Sequence, residues 1–122
     1  MNDKPGLEDL LPLTALDLSV LLVLGEGASW GYGIAQAVAQ RSRGRLELAP
    51  GNVYQALDRL MARGWIRTLE PDEVPPGADA RRRYYGITPA GAAAAAAEAR
   101  RIRDMLPALN RVLAMEPQEG GG

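Results

Sequence analysis

Along this chain the spacing of apolar residues changes character in the middle, at Gly64, and that change limits the possible folds more than any other feature. Before it lie three stretches with helical spacing. After it come two short segments of strand character, and then helical spacing returns to near the end. At 122 residues there is room for one domain, or one domain with an appended helix.

Thr14 suits the cap of a first helix from Ala15 to Leu24, ended by Gly25 and Gly27. Its side chains are apolar nearly all round, so it needs cover on more than one side. Ser29 suits the cap of a second helix from about Trp30 to Ser42, closed by Gly44, and Leu46 to Leu48 forms a short alternating segment. Pro50 fits the first turn of a third helix that runs to Arg63 and stops at Gly64. The segments WIRTLEPD and RRRYYGI then read as two strands around a turn-rich loop, EVPPGADA. Thr88-Pro89 opens a last helix containing six consecutive alanines, Ala92 to Ala97. This order predicts an α+β, mostly α fold: a winged helix-turn-helix of three helices and a two-stranded β wing, followed by a long C-terminal helix. Residues 1–13 are expected to be a flexible N-terminus, 14–88 the winged-helix unit, 89–115 the C-terminal helix and 116–122 a disordered tail.

Cys and His are both absent, which removes disulfides, thiol redox sensing, zinc ribbons and the commonest general base near neutral pH. No cofactor or metal is expected. The most apolar run, Leu18 to Leu24, spans seven residues and is too short for a membrane. The acidic N-terminus shows no secretion signal, so the expected location is the cytoplasm.

Net charge is −1, but its distribution is uneven. Residues 1–40 carry one Lys against five acids, whereas residues 41–67 carry six Arg against two. Four acids and no base follow in residues 68–80, and then Arg81, Arg82 and Arg83 come together. A near-neutral chain with charge clustered like this can present one basic face.

On the third helix Val53, Leu57, Leu60 and Met61 share one face, and Asn52, Gln55, Arg59, Ala62 and Arg63 the opposite one. Long basic and amide side chains are those that reach base edges in the major groove, although an ordinary solvated face also favours them. Gly51 at the helix start permits close backbone approach to a phosphate, and Tyr54 lies at the edge of the buried face with its hydroxyl able to reach outward. Gln55 and Arg59, one turn apart, are the expected readers of adenine and guanine. Strand alternation puts Arg81 and Arg83 on one face of the wing and Arg82 on the other, at least one face meeting the phosphate backbone.

Ile102, Met105, Leu106, Leu109, Val112 and Leu113 form a stripe that stays in phase across Pro107. A kinked continuation is therefore expected there rather than a break. The stripe needs cover, either from its own first helix or from a second copy. In a twofold dimer it would lie against Leu16 and Val20 of the partner.

The runs WGYGIAQAVAQRSRG, LAPGNVYQALDRLMARGWI and RRRYYGITPAG resemble the PadR-like transcriptional regulators over residues 14–91. The shared features are Gly31-Tyr32, the Pro-Gly-x-x-Tyr-x-x-Leu-x-x-Leu pattern from Pro50 to Leu60 with Gly64, and the basic wing strand leading to Tyr-x-Ile-Thr-x-x-Gly, here Arg83 through Gly91. The resemblance implies a dimeric repressor that binds a double-stranded DNA operator and is released by a small-molecule effector, in a short subfamily with one C-terminal dimerisation helix. Two positions depart from the pattern. Asn52 stands where Thr is common, and Gly33 where a longer polar residue is common.

Two other readings compete. A winged helix can serve as a protein-interaction module with its arginines merely solvated. The glycines from Gly27 to Gly33 also resemble the cofactor loop of short-chain dehydrogenases. That second rival fails, because the only lysine is Lys4, no Tyr-x-x-x-Lys pair exists and no series of βα units follows.

Overall fold

A computed structural model of the chain describes residues 6–46, 50–79 and 81–117. Helix α1 spans Ala15–Glu26, strand β1 Ser29–Trp30, α2 Gly31–Arg41, α3 Pro50–Ala62, β2 Ile66–Thr68, β3 Tyr84–Ile87 and α4 Pro89–Met115. The alternating segment expected after α2 falls mostly at residues 47–49, outside the described residues.

Helix α1 is the centre of the molecule, packing against α2, α3, α4 and β3. That placement answers its lack of a polar face: Val20, Leu21, Val23 and Leu24 are all buried, and only Leu22 among its leucines is well exposed. Thr14 caps it as expected, accepting from Asp17 N at 3.0 Å. Around it Ile34 and Val38 of α2, Val53, Leu57 and Leu60 of α3, and Trp65, Ile66, Tyr85 and Ala94 complete one core.

The sheet has three strands, in the order β1-β3-β2, both pairings antiparallel. Sequence alone leads one to expect only the hairpin of β2 and β3. Ser29 is not the helix cap but part of β1, where it pairs with Tyr85, and Trp30 occupies the cap position of α2 without a side-chain cap bond. Two residues are too few to show a period, so this strand could not be seen before its partner was in place.

Residues 6–13 differ from the flexible N-terminus expected. Leu7–Leu10 form a 3-10 turn, Leu10 and Leu11 pack on the core, and Leu13 is buried. At the other end α4 runs unbroken through Pro107. Glu116 serves as its C-cap, and residues 118–122 lie outside the described residues. The base of α4 is fixed by close contact. Thr88 donates its hydroxyl to Gly64 O at 2.6 Å and its N–H to Trp65 O at 3.0 Å. A Cβ on Gly91 would stand 2.0 Å from Trp65 O, so no residue but glycine fits there.

Candidate nucleic-acid interface

Helix α3 buries Val53, Ala56, Leu57 and Leu60 and leaves Asn52, Tyr54, Gln55, Asp58 and Ala62 exposed. The burial of Ala56 matters for the rest of the helix. Arg59 lies roughly 60° and Arg63 roughly 20° around the axis from Ala56, so both are drawn towards the buried side. There they meet Asp17, a carboxylate of α1 that is only 1% exposed. Arg59 donates to it through Nε at 3.1 Å and Nη2 at 2.5 Å, and Arg63 Nη1 approaches to 3.8 Å. The carboxylate holds the Arg59 guanidinium even more firmly protonated than usual, the hydrogen bond outweighing desolvation. Arg63 is also stacked over the Trp65 ring at 5.1 Å.

Arg59 therefore does not stand free on the outward face, as its spacing from Gln55 led one to expect. The outward face consists of Asn52, Gln55, Asp58 and Ala62, with Tyr54 beside it. Tyr54 turns its hydroxyl end towards the start of α2 rather than straight outward: a Cβ on Gly31 would lie 2.8 Å from its hydroxyl oxygen, while half of the residue stays in solvent. The structure describes the backbone of Gly51 in the first turn of α3.

The wing is also arranged differently from the simple alternating strand. Arg81, Arg82 and Arg83 precede β3, so strand alternation does not apply to them. Asp79 accepts from Arg81 N at 2.9 Å and Nε at 3.1 Å, and pairs with Arg82 at 3.7 Å. These contacts hold its carboxyl below the usual range, the Arg81 side-chain bond contributing most. The Arg82 guanidinium lies 3.8 Å from the centre of the Trp30 ring, tying the wing to β1 at the entry to α2. Gly33 makes room for that stack, because a Cβ there would stand 2.7 Å from Ser29 Oγ and 3.1 Å from Trp30 Nε1. This gives a structural reason for one of the two departures from the family pattern. At the base of the loop Arg67 clasps Glu73 with bonds of 2.8 and 2.6 Å, and Glu73 is lowered to about 2 by that bond and the Glu70 N–H.

Of the wing triplet only Arg83 has no ion-pair partner among the described residues. Two more such arginines, Arg43 and Arg45, sit exposed in the turn after α2. Arg43 has a φ of 55°, Gly44 one of 80°, and Leu46 N donates to Ser42 Oγ at 2.9 Å, so the turn is well defined just before α3. Helical spacing on α3 does not point to either, and the signal for both is the cluster of arginines in residues 41–67.

Away from this face, α1 and α4 form an apolar groove of about 310 Å³ lined by Leu18, Leu22, Ala99, Ile102, Arg103 and Leu106. Beyond it Met105, Leu109, Val112 and Leu113 are exposed on α4. Val20, expected in a seam between two copies, is fully buried in its own chain and faces none, and Leu16 is half-buried against the core. The groove-lining residues of α1, Leu18 and Leu22, stand two positions to either side of Val20, and on a helix apolar all round spacing alone does not say which leucine or valine points out.

A family model for the PadR-like transcriptional regulators matches residues 20–97. The chain belongs to that family. It is a family of transcriptional regulators and not of enzymes. Solved structures of the same fold include a transcriptional regulator from Clostridium thermocellum, 26% identical, with a TM-score of 0.64 over 79% of this chain and 87% of that one. A PadR family transcription regulator from hypervirulent Clostridium difficile is also 26% identical, with a TM-score of 0.64 over 80% of this chain and 97% of that one. An uncharacterized 37.1 kDa protein in transposon TN4556 of Streptomyces fradiae is 40% identical over 72 residues, which make up 59% of this chain but only 18% of that protein. Among the described residues no helix is long and apolar enough to cross a membrane, and no group of His, Cys, Asp and Glu could hold a metal ion.

Proposed function

We propose that the chain is a dimeric, sequence-specific double-stranded DNA-binding repressor, with α3 entering the major groove of an operator. The observation that carries this reading is the pairing of an outward amide face, Asn52 and Gln55, with three arginines that have no ion-pair partner among the described residues, Arg43, Arg45 and Arg83, on the segments flanking α3 in sequence and in the wing. Amides select base edges, adenine above all, while guanidinium groups without internal partners bind phosphates. Arg81 and Arg82 share the one carboxylate of Asp79, so together they keep a net charge of only +1 and shape the wing more than they bind.

Residues 14–88 form the reading unit in this proposal and 89–115 the assembly helix. The exposed stripe of α4, from Met105 to Leu113, with the half-buried Ile102 at its start, packs into the α1–α4 groove of a second copy, where Leu22 rather than Val20 faces it. A small apolar effector would act at that seam, where Arg103 offers one charge at the groove edge.

Selection of an operator from random duplexes, followed by anisotropy titrations across salt, tests the reading. Gln55→Ala should lower affinity for the selected duplex about 5- to 150-fold, with little change on random DNA. Triple replacement of Arg43, Arg45 and Arg83 by Ala should weaken both duplexes alike and flatten the salt slope by roughly two to three units per protomer. Binding that is absent, or indifferent to salt, would overturn the DNA reading in favour of a protein-interaction module.

A further inference from the structure

Asp17 is an anomaly in α1. It is the one charged residue on the buried side of a helix otherwise lined by valine and leucine, and together with Glu98 it makes up the buried charged residues among those described. Its backbone N–H is already satisfied by the Thr14 cap, and the first turn of a helix favours a negative charge. Neither fact requires its carboxylate to face α3. What the carboxylate finds there is a two-point clasp on Arg59 and a second guanidinium, that of Arg63.

We propose that Asp17 is a positioning residue that withholds Arg59 and Arg63 from DNA, confining base reading on α3 to its N-terminal half, Asn52, Tyr54 and Gln55. The proposal rests on the DNA-binding reading above and sharpens it. Its energetic basis is a competition for one guanidinium. Leaving a buried carboxylate without its partner costs roughly two to four powers of ten in equilibrium, whereas a bidentate guanine contact returns roughly one to two. DNA therefore does not strip Arg59 from Asp17. Arg63 is held a second time by the Trp65 ring, so both cations stay on the α1 side.

The geometry also links two faces of the molecule. Asp17 and Leu18 are neighbours in α1, the first gripping α3 and the second lining the groove against α4. Whatever fixes α1 against α4 thereby fixes the roll of the recognition helix.

Three variants of the full chain decide the matter: Arg59→Gln, Asp17→Asn and the two combined. Each is titrated by anisotropy against the selected operator and a random duplex over a range of salt, with circular dichroism and thermal melts to establish folding. Arg59→Gln should keep the base preference of the parent protein, with both affinities changing less than about threefold and the salt slope unmoved. Asp17→Asn frees one or both guanidinium groups, so random-duplex affinity should rise and the slope steepen by about one to two units. The double variant should bring the slope back towards that of the parent. A purely structural role for Asp17 would move stability but not the slope. Should Asp17→Asn fail to fold, Arg59→Lys decides in its place, because it keeps a cation beside the buried Asp17 carboxylate but cannot make a bidentate guanine contact, and it should keep the base preference and salt slope of the parent protein.

Loss of tenfold or more on the operator with no change on random DNA in Arg59→Gln would make Arg59 a base reader and overturn the proposal. An equal loss on both duplexes, with a flatter slope, would make it a phosphate clamp and overturn it as well. Failure of the parent protein to bind any duplex is a different result, which removes the DNA reading itself.

Discussion

Helices α3 and α4 carry the same kind of apolar stripe, yet they meet different fates. In α3 the core residues Val53, Leu57 and Leu60 are at most 1% exposed, covered by α1, α2 and the sheet. In α4 only the first half is treated this way, with Gly91, Ala94 and Glu98 buried. From Arg103 onward every described residue is exposed, although the stripe continues in phase through Leu106, Leu109, Val112 and Leu113, which are 41 to 64% exposed. A helical period therefore says that a face requires cover and is silent on which chain supplies it. The first half of α4 belongs to the domain, and the second half leaves an apolar stripe exposed, the surface that the proposed assembly would cover.

The strongest way to break this contrast is to charge the second half. Leu106→Glu with Leu109→Glu should abolish the proposed dimer, because assembly would bury carboxylates in an apolar seam. The monomer should fold as before, since neither residue lies in the core. Sedimentation equilibrium checks the assembly, and operator affinity should fall in parallel because two half-sites are engaged at once. A folded dimer that survives both substitutions would place the seam elsewhere.

The second test charges nothing and goes to the opposite end of the same helix. Gly91→Ala puts a methyl 2.0 Å from Trp65 O, and that oxygen is fixed by the bond from Thr88 N. Backbone on both sides must separate, so the cost should be about 3 kcal/mol, the upper part of the range for overpacking. Urea unfolding of the isolated variant measures it. A cost under about 1 kcal/mol would mean that the base of α4 is looser than its contacts imply.

The four helices, the wing hairpin and their order were legible because each rests on local signals: Thr14 and Thr88 as caps, Gly64 as a stop, and the change of period between them. What could not be read depends on partners distant in sequence. Strand β1 exists only because Tyr84 and Tyr85 lie beside Ser29 and Trp30. Arg59 was assigned to the outward face from spacing alone, and the buried Ala56 with Asp17, 42 residues away, turned it inward. Arg81 and Arg82 were read as cations on a strand, before Asp79 and the Trp30 ring could be known to occupy them. Charge in a sequence marks where cations are, and only the fold shows which of them are already spent on internal partners.

The smallest effect expected is the most discriminating for the two halves of α4. Glu98 is buried in the first half, where it accepts from Leu13 N at 3.1 Å and from Arg101 Nε at 2.6 Å and Nη2 at 3.0 Å. It thereby ties α4 to the segment entering α1. The Arg101 bonds hold its carboxyl below the ordinary value of 4.5, outweighing burial, which acts the other way. Glu98→Gln keeps the shape and one acceptor but loses the charge-assisted bonds, for a cost of about 1 kcal/mol. A carboxylate with a depressed pKa contributes its stability above its unfolded value and gives it up as pH falls through the folded one. The advantage of the parent over Glu98→Gln should therefore be constant from pH 7 down to about 5 and shrink below 4.5. Other carboxylates are common to both proteins and cancel in the difference. Melts across pH at fixed concentration give that curve, and sedimentation of both proteins at pH 7 gives their assembly. If Glu98→Gln weakens the dimer as much as it weakens the fold, the two halves of α4 are coupled and the division between domain and partner surface does not hold. An unchanged dimer constant with a lower melting point would locate the work of Glu98 wholly inside its own chain.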